Sequence, residues 1–97
     1  MILEIADIQI VSESQADFEV AIKRGIAESI SQAKGFIDCQ VQHSIESPER
    51  YVLMIHWETL ENHIVDFRGS PAFQAWRGLV GPYFKCPPLV EHFYLLQ

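Results

Sequence analysis

An α+β fold of ferredoxin-like βαββαβ order, with its second helix broken, follows from three features of this 97-residue chain. Four segments alternate with the two-residue period of a strand, and the two stretches of 3-4 helical spacing each lie between strands. A Gly69-Ser70-Pro71 corner cuts the second helical stretch in two. Two right-handed β-α-β crossovers and one hairpin then give a four-stranded antiparallel sheet with its helices on one face.

The first strand is read over residues 2–11. Leu3, Ile5, Asp7, Gln9 and Val11 share one face, and Ile2, Glu4, Ala6, Ile8 and Ile10 share the other. Both faces are largely apolar, which suits a strand covered on both sides, and Asp7 stands out among apolar neighbours. Residues 12–34 form a helix. Ser14 with Asp17 fits a capping box, the early acids Glu13, Asp17 and Glu19 and the late Lys34 suit the helix dipole, and Gly35 ends it. Its buried stripe runs from Phe18 through Ile22, Gly25 and Ile26 to Ile30 and Ala33.

Residues 36–46 alternate as a half-exposed strand near a sheet edge, with Cys39, Val41, His43 and Ile45 on its apolar side. Ser47-Pro48-Glu49-Arg50 turns the chain into strand 51–58, where Tyr51, Leu53, Ile55 and Trp57 lie opposite Val52, Met54 and His56. Thr59 caps the next helix, which presents Leu60, His63, Ile64 and Phe67 on one face and ends at Gly69. Ser70 caps its continuation with Pro71 at the first helical position. Phe73, Trp76, Arg77 and Val80 form its inner face, and Gly81-Pro82 stops it. After a stiff Cys86-Pro87-Pro88 connector, residues 89–96 form the last strand.

The length implies a single domain, residues 1–97. A net charge of -6, with no cluster of Lys and Arg, argues against nucleic acid and anionic membranes as partners. No uncharged run is long enough for a transmembrane helix, and the N-terminus lacks the basic start of a signal peptide. Cys39 and Cys86 make no C-x-x-C motif, as expected of two reduced thiols in a cytoplasmic protein. Helices cover only one face of the sheet, yet the first, third and last strands are apolar on both. At ~25 cal/mol per Å² of apolar area, leaving the second face in water forgoes several kcal/mol. A homodimer that packs sheet on sheet is the expected remedy.

The run GFID from Gly35, WET from Trp57, LENH from Leu60 and RGSPAF from Arg68 to Phe73 resemble the antibiotic biosynthesis monooxygenase family, across essentially the whole chain. The resemblance implies a dimeric α/β barrel of two ferredoxin-like subunits, with a pocket between sheet and broken helix. It implies cofactor-independent monooxygenation of a small phenol, quinol or polyketide-like compound. A non-catalytic small-molecule-binding dimer and a dimeric-barrel isomerase or lyase are the alternatives. No flavin or metal is expected, and the lack of a Gly-rich dinucleotide fingerprint agrees. Haem-degrading members of the family use an Asn on the first strand, a Trp on the first short helix and a His on the second. The corresponding residues here are Asp7, Phe67 and Arg77; none matches, and Arg77 offers no imidazole to hold iron.

Candidate site residues follow from these placements. His63, on an inward helical face, is either a general base or a histidine bonded to a backbone carbonyl or placed at the rim. Asp7 is either a second candidate base, a carboxylate of raised pKa, or the partner of a nearby cation such as Arg77, or it faces a wet part of the dimer interface. Phe67, Phe73, Trp76 and Trp57, with Tyr51, either box a flat substrate or form core. Arg77 or Arg68 either binds a substrate carboxylate or phenolate, or is solvated. His43, His56 and His92 lie on three strands with no metal-binding spacing, so no metal site is expected. The pocket reading requires a cavity above ~300 Å³ beneath the broken helix.

Overall fold

In the computed structural model, which describes residues 1–97, four strands form one antiparallel sheet. They are β1 (Ile2–Gln9), β2 (Phe36–His43), β3 (Arg50–Trp57) and β4 (Leu89–Phe93), in the order β2-β3-β1-β4. Helix α1 (Gln15–Glu28) makes the first crossover and ends in a 3-10 turn, Ile30–Gln32. The second crossover holds a π-helical turn, Asn62–Phe67, and then α2 (Pro71–Val80). This is the ferredoxin-like α+β architecture that the alternation predicts, with β2 at an edge.

Strands β1 and β2 stop at Gln9 and His43, short of the expected residues 11 and 46, and three further element ends differ from expectation. The Ser14–Asp17 capping box is not formed: the Ser14 hydroxyl donates to the Ser12 carbonyl (3.3 Å) and accepts nothing from the helix. Beside it, Glu13 is left-handed (φ 61°). Helix α1 breaks at Ser29 because the Ser31 and Gln32 side chains donate to the Ala27 carbonyl (3.0 and 3.3 Å), the acceptor a continuing helix would use. Strand β4 stops at Phe93, opposite Leu3, one residue short of the start of β1; Tyr94, Leu95 and Leu96 stand exposed.

The core lies wholly between the sheet and the helices. Tyr51, Leu53, Ile55 and Trp57 from β3 and Ala6, Ile8 and Ile10 from β1 meet Phe18, Ile22, Phe67, Trp76 and Val80. Gly25 is where α1 and α2 touch. A Cβ there would lie 2.7 Å from Cε3 of Trp76, so the indole lies directly on the α1 backbone.

The second crossover is tied down at its start. Thr59 caps it as expected, its hydroxyl accepting from the Asn62 backbone N–H (3.2 Å). The Asn62 side-chain oxygen accepts from the Thr59 backbone N–H and hydroxyl (3.1 and 2.9 Å), and its amide donates to Asp66 (3.1 Å). Asn62 packs on Gly35, which is left-handed (φ 82°) and has no room for a Cβ against that side chain. Gly35→Ala meets both the left-handed penalty of ~1–2 kcal/mol and a collision. Urea unfolding should show a loss of about 2 kcal/mol or more. A loss below ~0.5 kcal/mol would show that neither constraint operates.

Candidate functional site

A cavity of about 980 Å³ lies between the sheet and the second crossover, at the upper end of the ~300–1,000 Å³ found for ligand sites. Its floor is the helix-side face of β1 and β3: Ala6, Ile8, Leu53 and Ile55. Phe67, Phe73 and Trp76 roof it. The segment from Gly81 to Pro88 closes one end. That segment is held to the end of β1 by Val11 N–H to the Tyr83 carbonyl (2.9 Å) and Lys85 N–H to the Gln9 carbonyl (2.8 Å).

The roof owes its shape to the π turn. Arg68 N–H bonds the His63 carbonyl five residues back (3.1 Å). This wider winding advances fewer degrees per residue than an α-helix. Asn62, His63 and Phe67 therefore turn inward, and Ile64 turns out to 38 % exposure. Regular 3-4 spacing places Ile64 inside; the π turn overrides it.

His63 joins two groups that lie on the same face of the sheet. Its Nδ1 is 2.8 Å from Nε2 of His92 on the edge strand β4, and its Nε2 is 3.3 Å from Oε1 of Glu4. Glu4 and His92 are register partners across β1 and β4. The Trp57 indole N–H donates to the same Glu4 oxygen (2.9 Å), and its ring stacks on His63 at 5.3 Å between centroids. Glu4 Oε2 carries no hydrogen bond. No buried side-chain polar atom lacks a partner, so Oε2 opens to the cavity that Glu4 lines. The result is a carboxyl–imidazole–imidazole chain from the cavity floor to the half-buried His92 at the sheet edge.

Of the expected site residues, His63, Phe67, Phe73, Trp76 and Arg77 line the cavity, with Arg68 beside them. Trp57 does not: it is fully buried behind His63 and holds Glu4. Tyr51 is also core, its hydroxyl donating to Glu19 (2.6 Å). Asp7 is displaced furthest from its expected place. Strand alternation puts it on the opposite face of the sheet, where Arg50 donates to both its oxygens (3.0 and 2.7 Å). The sheet separates Asp7 from His63. His56 shares that outer face, with Nδ1 2.6 Å from Asp38, and His43 stacks on Tyr51. No group of three His, Cys, Asp or Glu side chains stands close enough to hold a metal ion. The residue that sequence reasoning passed over is Glu4. Its signal was present, as the lone acid in the row Ile2, Ala6, Ile8, Ile10.

Comparison with known proteins bears on the family and the fold. The sequence profile described as antibiotic biosynthesis monooxygenase matches residues 1–79. YczJ of Bacillus subtilis (strain 168), itself uncharacterized, is 37% identical over 93 residues, which is 96% of this chain and 97% of that protein. A solved structure from Bordetella bronchiseptica, of a protein assigned to the same family, superposes with a TM-score of 0.93 at 42% identity, over 99% of this chain and 97% of that one. SnoaB, a cofactor-independent oxygenase from Streptomyces nogalater, superposes with a TM-score of 0.83 over 99% and 93% of the two chains. Its identity is 14%, so that likeness is one of fold.

The charge states of the chain follow from burial. Desolvation pushes the Glu4 carboxyl up from 4.5 to about 7, against the pull of the Trp57 N–H and the Arg68 charge. Desolvation, then Arg68 and His92, push His63 down from 6.5 to about 3. His92 is lowered by desolvation and Arg68. Between pH 4.5 and about 7 the folded chain holds a proton on Glu4 that the unfolded chain has lost, so this residue's contribution to stability falls as pH rises. His63 acts with the opposite sign. Between about 3 and 6.5 the unfolded chain binds its proton and the folded chain does not, so stability rises with pH. Glu4→Gln removes only the first effect. Relative to the native chain, its stability in urea should therefore rise between about pH 4.5 and pH 8, by up to roughly 3 kcal/mol at ~1.4 kcal/mol per unit. A difference that does not change with pH would show Glu4 to be an ordinary carboxylate.

Proposed function

The chain belongs to the antibiotic biosynthesis monooxygenase family, and from that premise we propose that it is a cofactor-independent monooxygenase of a small phenolic or quinol-like aromatic compound, with Glu4 and His63 as its base. One observation carries the reading. A buried carboxyl–imidazole–imidazole chain opens into an aromatic cavity at one end and reaches the sheet edge at the other.

Glu4 Oε2 takes an acidic O–H or C–H proton from a ring system lying between the sheet and Phe67, Phe73 and Trp76. A carboxyl group poised near neutrality is half ionised at physiological pH, which suits a general base. His63, held almost wholly neutral, is the weaker base of the pair. Its Nε2 faces Oε1, so its role is to hold the carboxyl group that takes the proton at Oε2, and its Nδ1 joins that group to His92. The 3.3 Å gap between Glu4 and His63 is slightly long for a hydrogen bond, as catalytic contacts commonly are before substrate binds. The electron-rich anion reacts with dioxygen by electron transfer and recombination, forming a C–O bond to a peroxide. Loss of water then breaks the O–O bond and leaves a carbonyl where the ring carried CH₂. One oxygen atom enters the product and the other leaves in water, so the reaction balances without a further reductant. The apolar floor and aromatic roof shield the ring of the anion from water, which limits its side reactions.

A homodimer packed through the outer sheet face completes the reading. Leu3, Ile5, Val52 and Met54 there are only half-buried, and Leu89 and Phe93 are exposed. The unpaired thiols of Cys39 and Cys86 support a reducing compartment, the cytoplasm. No helix is long and apolar enough to cross a membrane.

Oxygen uptake with a panel of anthrones and hydroquinones tests the activity. The value of kcat/KM should climb as Glu4 ionises through pH about 7. Glu4→Gln and His63→Ala should each lower it by ~100-fold or more. His92→Ala should lower it by ~10-fold, with recovery in imidazole buffer. Asp7→Asn should leave turnover unchanged. Full turnover in both Glu4→Gln and His63→Ala would sink the assignment. For the assembly, light scattering should give twice the chain mass, and Met54→Glu on the outer face should give a folded monomer. A native chain that is monomeric at micromolar concentration would refute the dimer.

A further inference from the structure

The chain carries 7 Lys and Arg against 13 Asp and Glu, so a cavity lined at random would be acidic. The opposite holds. Arg68, Arg77 and Lys85 all line it, and Glu4 is the only carboxylate that does. None of the three cations has a carboxylate partner; the two Arg–carboxylate pairs, Arg24–Glu28 and Arg50–Asp7, lie elsewhere. Each comes from a different segment: the corner after the π turn, the second half of α2, and the connector that closes the cavity.

Their order along the cavity follows from the backbone. Lys85 is bonded through its N–H to the Gln9 carbonyl, five residues along β1 from Glu4. At ~3.3 Å per residue that is roughly 16 Å, the length of three fused rings with a substituent. Helix α2 leads from the corner to the Tyr83–Lys85 segment, and Arg77 springs from its last turn but one. Its side chain reaches back so that the guanidinium stands 5.9 Å over the Phe73 ring, on the roof between the corner and Lys85. Arg68 is at the other end, near enough to act on Glu4, His63 and His92 together.

We propose that the molecule this cavity takes carries an anionic substituent, a carboxylate or a phosphate, at the end remote from Glu4, and that Arg77 and Lys85 hold it. The inference rests on reading the cavity as the substrate site. A free anionic group gives two solvent-exposed cations the carboxylate or phosphate partner that no acidic side chain of the fold supplies. It also sets the orientation of an otherwise featureless flat ring, with the reacting edge directed toward the Glu4 carboxyl. On a chain of net charge -6, a basic mouth in addition draws an anion toward the cavity.

Tryptophan fluorescence and calorimetry on the native protein test it with two matched pairs: anthraquinone carboxylate against its uncharged carboxamide, and naphthyl phosphate against naphthol. The expected result is a preference of ~10-fold or more for at least one anion over its neutral twin at low salt, shrinking at ~0.5 M salt. Which pair shows it distinguishes carboxylate from phosphate. Arg77→Gln with Lys85→Gln should bring the ratio toward one, whereas Lys23→Gln, exposed on α1, should not change it. Equal affinity within both pairs, or no binding of any probe, overturns the inference. An anion preference without oxygen uptake would leave it standing and sink the oxygenase reading. Oxygen uptake with neutral anthrones and no anion preference would do the reverse.

Discussion

One buried carboxyl group sets the terms for the rest of the site. Glu4 occupies a position that Ala6, Ile8 and Ile10 mark as core, and it is 5% exposed. Removing a carboxylate from water costs far more than one indole N–H and a nearby guanidinium give back, which is why its pKa settles near neutrality. An apolar residue of the same size would serve the fold better. A group kept at such a cost, with one oxygen facing a cavity, is a strong candidate for chemistry. Its neighbours follow from it. Trp57 is fixed because its N–H has a partner. His63 has its ring plane set by stacking on that indole and its nitrogens assigned by Glu4 on one side and His92 on the other.

Holding His63 there requires an irregular backbone. The π turn begins where Asn62 is clamped by Thr59 on one side and Asp66 on the other, and Asn62 rests on a glycine that must be left-handed. Gly35 lies at the entry to β2, so the hairpin strands and the roof are registered against each other at one point. The Glu58 N–H to the Gly35 carbonyl (2.8 Å) ties the same point to the end of β3. Placement of the imidazole is thus a consequence of how the edge strand starts, through hydrogen bonds with little slack. At the far side of the roof, Gly25 does the same for Trp76 by letting the indole rest on the α1 backbone.

The fold class was legible in the sequence because it depends on period, and period is local. Strand alternation, the Gly-Ser-Pro corner and the caps at Thr59 and Ser70 are each settled within a few residues. What the sequence hid depends on facts that are not local. With both faces of β1 apolar, nothing in residues 2–11 says which face the helices cover, so Asp7 and Glu4 were equally eligible. The deciding partner of Asp7 is Arg50, 43 residues away. The π winding is equally silent, since its pattern of apolar residues reads as an α-helix until backbone bonding is known. His92 was legible as a strand residue but not as a member of the chain, because only the β1–β4 register brings it level with Glu4.

The cationic mouth and the buried base bear on each other. Arg68 stabilises ionised Glu4 and disfavours protonated His63 and His92, so its charge weakens every base in the chain. In the empty cavity, burial outweighs that pull at Glu4. On the proposed reading, a ring that expels water from around Glu4 raises its proton affinity further, while an anionic substituent held by Arg77 and Lys85 is neutralised where it binds and leaves Glu4 little changed. With its pKa at about 7, Glu4 is half ionised at neutral pH, so both the form that takes a proton and the form that returns one are populated.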